Sequence, residues 1–228
     1  MHHHLLSDIC QILNTIAVLA ASVVAICGID SWVRKAHWKI RYNLAEEVLT
    51  LAYAVRGAIR EIRIPLLREG EGSSRKKTDG ESPEESKILD ESYILSERYN
   101  RHSKSFNKIQ VVKYRFMAVY GSEYENLFGK LNVLINEIFH ANDMIYMYGG
   151  KSSRREEWSS EAEHRQHRDE LLEHLKILYS GSKDDKFGQR VNAVIAEFET
   201  VCAPIIRKEQ EERLGGFFGR IFGREKLN

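Results

Sequence analysis

The sequence contains little proline, little cysteine and almost no net charge, and each scarcity argues against a class of protein. Only three prolines occur in 228 residues, which favours long helices because proline interrupts the helical hydrogen-bond ladder. The three cysteines, Cys10, Cys27 and Cys202, lack the C-x-x-C spacing of a zinc site or a redox pair. The formal net charge is only +1, whereas nucleic-acid binders are usually strongly basic, so nucleic acid is not an expected partner.

Charged residues are also missing from a long stretch near the N-terminus, between Asp8 and Asp30. As a helix, residues 9–29 would be about 31 Å long, close to the ~30 Å hydrocarbon core of a bilayer. We therefore predict a transmembrane helix over residues 9–32, preceded by a short extracytoplasmic tail over residues 1–8. The predicted membrane-anchoring side chains are Ile16, Val18, Leu19, Val23, Val24, Ile26 and Trp32.

Two other interpretations of this stretch stay open. A cleaved signal peptide would need basic residues before the apolar run, and here they follow it. A buried helix of a water-soluble protein would be unusually long for so apolar a sequence. Four polar residues of the stretch, Gln11, Asn14, Thr15 and Ser22, are compatible with an assembly of several such helices.

A basic flank directly follows the apolar stretch. It contains Arg34, Lys35, Lys39 and Arg41, and no lysine or arginine precedes the stretch. Since cytoplasmic flanks of membrane helices are enriched in lysine and arginine, this asymmetry predicts an N-terminus outside and a cytoplasmic C-terminal domain.

The remaining sequence predicts an all-α fold. Residues 33–64 have the period of a membrane-proximal amphipathic helix that continues the transmembrane helix, with an apolar face formed by Leu44, Val48, Leu51, Val55, Ile59 and Ile62. Residues 65–82 are rich in glycine and charge, so a flexible linker is expected there. Residues 83–214 are expected to form an antiparallel cytoplasmic helical bundle.

Helix-start and helix-stop signals divide this bundle. Ser82 and Glu85 form a capping box that should begin a helix reaching Gly121, and Ser122 with Glu125 repeats that pattern. Gly149 and Gly150 are expected to end the second helix. A third is predicted over residues 153–179, and a fourth contains Pro204, which should kink it.

The C-terminal tail, residues 215–228, combines phenylalanines with basic residues. A short amphipathic helix of this composition can lie in the membrane interface and contact anionic lipid. Alternatively, the tail is a frayed terminus or docks onto the helical bundle of the same chain. The side chains expected at the interface are Phe217, Phe218, Arg220, Ile221, Phe222 and Arg224.

No catalytic constellation is evident, and neither a cofactor nor a metal ion is predicted. His164, His167 and His174 are the best metal-ligand candidates because they lie near one face of a helix. Several arginines in the same segment oppose cation binding. Arg168 and His174 match the loose arginine–histidine spacing of small helical ribonucleases, a pattern that is frequent by chance.

Two stretches resemble a family of uncharacterised bacterial single-pass inner-membrane proteins with a helical cytoplasmic domain. They are WVRKAHWKIRYNLAEEVLTLAYAVRGAIREIRIPL and KYRFMAVYG. The resemblance implies a bacterial inner-membrane location, and it carries no known activity or catalytic residue.

Three functions therefore remain under consideration. The favoured one is a non-enzymatic membrane-anchored scaffold or sensor, whose partners are the lipid bilayer and either further copies of itself or another membrane-associated protein. The second is a membrane-disrupting or pore-forming effector of a bacterial defence or toxin module. The third is a nuclease-like enzyme that uses Arg168 and His174.

Overall fold

A computed structural model describes residues 2–152, 161–181 and 184–222 of the chain. Within these ranges, the side chains of residues 2–13, 26, 27, 30, 31, 147–152, 164 and 208–222 lie outside the description. The described residues form helices and turns and no strand, which confirms the predicted all-α class. The chain divides into two compact units, Met1–Asn43 and Leu44–Asn228.

The described residues contain six α-helices and one short 3₁₀ helix. They are α1 (His2–Ile62), α2 (Pro83–Arg101), α3 (Ser103–Tyr120), the 3₁₀ helix Ser122–Tyr124, α4 (Glu125–Ser152), α5 (Glu161–Leu178) and α6 (Lys186–Phe222). Helix α1 is unbroken, as the helical period of residues 33–64 predicts, and it ends before Pro65.

The part of α1 that belongs to the second unit supplies one side of its core. All six residues predicted for the apolar face are buried, from Leu44 to Ile62. Ala45 and Ala52 are also fully buried, and small side chains at such positions allow neighbouring helices to approach closely. This stretch is therefore an integral core helix of the second unit.

The chain from residue 83 to residue 120 forms two helices, where the sequence predicted one. The Ser82–Glu85 capping box is present with both of its hydrogen bonds, so the predicted helix start is confirmed. The helix then breaks at His102, which leaves the helical conformation between α2 and α3. Its imidazole Nε2 lies 3.0 Å from Glu61 Oε2 of α1.

Helix α4 begins and ends differently from the prediction. The second capping box does not form: Ser122 belongs to the 3₁₀ helix, and no side chain caps that turn. Gly121 precedes it with φ of 119°, a conformation that glycine tolerates far better than other residues. At the other end, α4 runs through Gly149 and Gly150 to Ser152.

Cross-helix contacts show that neighbouring helices are antiparallel, as predicted for a bundle. Between α4 and α6, Lys130 pairs with Glu197 while Arg190 pairs with Glu137. Between α2 and α4, the Asn142 amide donates to Ser92, and the rings of Tyr99 and Phe139 are 5.1 Å apart. In both pairs the residue numbers rise in opposite directions.

An aromatic chain forms the centre of this core. Phe116, Phe128 and Phe198 come from α3, α4 and α6 and are fully buried. The ring of Phe128 lies edge-on to both others, at centroid distances of 5.8 and 5.2 Å. Such edge-to-face contacts add to the energy of area burial, so this chain joins three helices of the bundle.

The segment from residue 65 to residue 82, expected to be a flexible linker, makes a set of specific polar contacts with α2. Arg75 donates to Glu81 within the segment and to Asp90 on α2. The backbone N–H of Gly72 donates to the Glu97 carboxylate at 2.8 Å. These contacts attach the segment to α2, and the sequence pattern alone did not indicate them.

Candidate functional site

Between residues 14 and 33 of the first unit, the described apolar side chains are exposed. Ile16, Val18, Leu19, Val23 and Val24 are between 57% and 71% exposed, and Trp32 is 70% exposed. The hydroxyl of Ser22 donates to the Val18 carbonyl at 2.8 Å, which satisfies it within the helix. Ile26 and residues 9–13 lie outside the described side chains. So many exposed apolar side chains close together are rare on water-exposed helices and typical of segments that contact lipid or another protein.

The predicted basic flank is exposed as well. Arg34, Lys35, Lys39 and Arg41 all present their side chains at the surface. Long basic side chains beside an apolar helix are suited to reach anionic headgroups. The flank and the apolar side chains thus occupy consecutive stretches of the same unit.

The prediction of a membrane-spanning helix is not confirmed. In the part of the chain that the structure describes, no helix is both long and apolar enough to cross a bilayer. The predicted interface residues of the tail, from Phe217 to Arg224, have side chains outside that part.

The histidines of α5 do not form a described metal site. His167 is buried, whereas the ring of His174 lies edge-on to His140 of α4 at 5.9 Å. His164 lies outside the described side chains. Among the described residues, no group of three potential ligands is close enough to hold a metal ion.

Arg168 and His174 are not brought together either. Six residues of helix separate them by about 9 Å along the axis and turn them about 120° apart. Arg168 is solvent-exposed beside Asp169, whereas His174 faces α4. Shared attack on one scissile bond would require both groups on one side of the helix.

A polar cluster that sequence reasoning did not single out surrounds Arg63. This arginine directly follows α1 and is only 2% exposed. Its guanidinium donates to the carbonyls of Lys176, Ile177 and Tyr179 at the end of α5. It also donates to both carboxylate oxygens of Asp185, before α6. The arginine therefore ties the end of α1 to the end of α5 and the start of α6.

The electrostatics of this cluster are favourable. Helix C-termini carry partial negative charge, so a cation that bonds the last carbonyls is stabilising. The neighbouring guanidinium lowers the pKa of Asp185 below its ordinary value. The ring of Phe187 lies 4.6 Å from the guanidinium carbon and provides a cation–π contact.

A second buried arginine, Arg98 of α2, bonds the backbone carbonyls at the end of α1, as Arg63 does at the end of α5. It donates to the carbonyls of Ile62, Ile64 and Leu66. It also pairs with Glu71 at 2.6 Å, and Arg101 pairs with the same carboxylate at 2.7 Å. The hydrogen bond from Arg98 is the main cause that lowers the pKa of Glu71 to about 2. Both arginine clusters are structural, since their donors are occupied by protein groups.

Cys202 is the one cysteine whose side chain is described. It lies on α6 and is completely buried in the core. Burial raises the pKa of its thiol to about 12. A nucleophilic cysteine needs the opposite conditions, exposure and a lowered pKa, so this thiol packs as a small apolar side chain.

Comparisons with protein-family models, with curated proteins and with solved structures find no match. The resemblance to bacterial single-pass inner-membrane proteins therefore stays a prediction. The exposed apolar segment, its basic flank and the surface of the second unit are the features of the chain that bear on its function.

Proposed function

We propose that the protein is a non-enzymatic, single-pass inner-membrane scaffold or sensor whose helical domain associates with itself or with a partner at the cytoplasmic face. The exposed apolar segment is the observation that carries this proposal. Residues 9–29 contain no charge, and the described apolar side chains among them are exposed. Leaving such side chains in water is unfavourable by roughly 25 cal/mol per Å² of apolar surface.

Lipid is the occupant that best accounts for this segment. The uncharged length matches the hydrocarbon thickness, and tryptophan with basic residues follows on one side only. A helix that packed against a partner helix alone would need only one apolar stripe. Here exposed apolar residues occur at positions 16, 18, 19, 23 and 24, which point in several directions around the helix axis.

The second unit, Leu44–Asn228, which we call the helical unit, supports an association role through an exposed apolar pair on α3. Val111 and Tyr114 are 64% and 68% exposed and lie on one face, three residues apart. Exposed tyrosine is among the residues enriched at protein interfaces. We refer to Val111 and Tyr114 as the α3 patch.

Cross-linking in membranes, combined with light scattering of the detergent-solubilised protein, tests the association. The wild type should give a mass above that of the monomer, and Val111→Glu with Tyr114→Glu should reduce it to the monomer. As a matched control, Ser122→Glu with Asn136→Glu adds the same two charges at exposed polar positions. A strictly monomeric wild type with no cross-linked species would contradict the proposed role.

A further inference from the structure

A groove runs between the C-terminal part of α1 and the start of α6, within the second unit. Its volume is about 380 Å³, at the lower end of the range in which proteins bind small molecules. Arg56, Arg60 and Arg63 line one wall, and Gln189 and Asn192 of α6 line the other. The two helices are antiparallel here, since Arg63 pairs with Asp185 while Tyr53 pairs with Glu199.

The three arginines occupy one face of α1 and its final turn. Residues spaced by four and three are neighbours on a helix, so positions 56, 60 and 63 form one basic row. Like charges at these spacings disfavour the helix in the absence of a counter-ion. A row of this kind therefore calls for an anion to balance it.

Arg63 already has its counter-ion. Asp185 lines the same groove, but both of its carboxylate oxygens accept hydrogen bonds from Arg63, and one also accepts from the Gly188 N–H at 2.9 Å. Asp185 is therefore engaged and gives little compensation to the other two arginines. The groove cations without an ion pair to a described carboxylate are Arg56 and Arg60.

Neither Arg56 nor Arg60 has an ion-pair partner among the described residues. Other exposed cations of the same unit do, including Lys130 with Glu197 and Arg190 with Glu137. Two further acidic groups lie nearby, Glu199, which accepts from the Tyr53 hydroxyl, and Asp184, which accepts from Gln189. Neither forms an ion pair with Arg56 or Arg60 among the described residues.

The groove also holds one of its cations in place. The guanidinium carbon of Arg56 lies 5.0 Å from the centre of the Tyr53 ring, and the Tyr53 hydroxyl is fixed by Glu199 at 2.9 Å. This contact restrains the side chain without neutralising it. Opposite, the exposed amide of Asn192 is available as a neutral donor.

We propose that this groove binds a phosphate-bearing ligand through Arg56 and Arg60, with Asn192 as an additional donor. Guanidinium groups match phosphate geometry because they donate two parallel hydrogen bonds. The phosphate can belong to a soluble phosphorylated compound or to a phospholipid headgroup. Every residue of the proposed site lies in the helical unit, so the site is independent of membrane anchoring.

Calorimetric titration of the full-length protein in detergent tests the site with two probes. Inorganic pyrophosphate represents a soluble ligand. Short-chain phosphatidic acid represents a headgroup, with phosphatidylcholine of the same chain length as its reference. Saturable binding of pyrophosphate would show that the site accepts a soluble phosphorylated compound. Binding of phosphatidic acid alone would show that the ligand is a phospholipid headgroup.

Two charge-matched double variants give the test its specificity. Arg56→Gln with Arg60→Gln should weaken binding of the active probe at least about tenfold, as expected for loss of charge-assisted hydrogen bonds. Lys108→Gln with Arg115→Gln removes two cations that pair with Glu47, away from the groove. That control should bind within about twofold of the wild type, because the ligand contacts remain.

Thermal unfolding of the ligand-free proteins separates binding from a structural role. Removing these two arginines, which form no ion pair with a described residue, should leave the midpoint close to that of the wild type or slightly higher, because the relief of repulsion offsets the lost cation–π contact of Arg56. A clear fall in the midpoint would overturn the inference, since it would show that these arginines hold the fold. No saturable binding of either probe, or equal weakening in both double variants, would overturn it as well.

Discussion

Arg63 and Asp185 form a two-point ion pair, with nitrogen–oxygen distances of 3.0 and 2.8 Å, at the junction of three helices. The arginine side chain is 3% exposed and the aspartate side chain 27% exposed. In addition, the backbone carbonyl of Arg63 accepts a hydrogen bond from the N–H of Ser180 at 2.8 Å. The pair and its carbonyl partners join α1, α5 and α6 within the helical unit.

Replacing Arg63 by leucine should lower the free energy of unfolding by about 3 kcal/mol, because it leaves Asp185 and three helix-terminal carbonyls without their donor. Chemical denaturation followed by circular dichroism measures this. Arg190→Gln breaks an exposed pair with Glu137 and should cost at most about 1 kcal/mol. Equal losses in the two variants would contradict the structural role of Arg63.

Sequence reasoning predicted the helices better than the junctions between them. The buried face of α1 followed from apolar spacing, and the start of α2 from a local capping box. The roles of Arg63 and Arg98 depend on partners from distant segments, such as Asp185 for Arg63. An arginine that caps a distant helix has no local pattern that separates it from a solvated cation, so both were missed.

The break at His102 was missed for a related reason. No proline or glycine marks it, and apolar residues continue through it at helical spacing from Leu95 to Phe106. The side chain of His102 meets Glu61, which belongs to another helix. A tertiary contact of this kind competes with helix propensity and cannot be recognised from neighbouring residues alone.

Acid should destabilise the helical unit through Glu71. Its pKa is lowered to about 2 in the folded protein by Arg98 and Arg101, so its contribution to stability is fully present above the ordinary pKa near 4.5. That contribution is lost as the pH falls through the folded value. Glu71→Gln should therefore reduce the free energy of unfolding at neutral pH by about 2 kcal/mol. In this variant the free energy of unfolding should also fall less steeply than in the wild type between about pH 5 and pH 2.

The control for this pH dependence is Glu173→Gln. Lys176 lowers the pKa of Glu173 too, but that carboxylate is 70% exposed and screened by water. Its removal should change the pH dependence of unfolding very little. A Glu71 variant that followed the wild-type curve throughout would contradict the assignment.

Truncating the central aromatic residue should strongly destabilise the bundle. Phe128→Ala removes a fully buried ring that touches Phe116 and Phe198, and it should cost about 3–5 kcal/mol. Val133→Ala on the same helix changes a side chain that is 54% exposed and should stay within about 0.5 kcal/mol of the wild type. Urea denaturation compares the two, and a similar effect of both would argue against the packing described.

Cys202 should resist alkylation in the folded protein. In a Cys10→Ser, Cys27→Ser background, the native protein should react with iodoacetamide at least about tenfold more slowly than the unfolded chain, because the thiol is buried and its pKa is raised to about 12. Mass spectrometry of the labelled protein gives both rates. Equally rapid labelling would show that the core at this position is open.

Membrane anchoring is the central claim of the proposed function, and alkaline carbonate extraction of membranes tests it most directly. The wild type should remain in the membrane pellet. Val18→Arg with Val23→Arg should shift the protein to the supernatant, since each arginine costs roughly 2.5–3.5 kcal/mol in a bilayer centre. Ser122→Arg with Asn136→Arg adds the same charges at exposed positions of the helical unit and should leave the protein in the pellet. Release of the wild type by carbonate, or firm retention of the Val18 and Val23 variant, would contradict the claim.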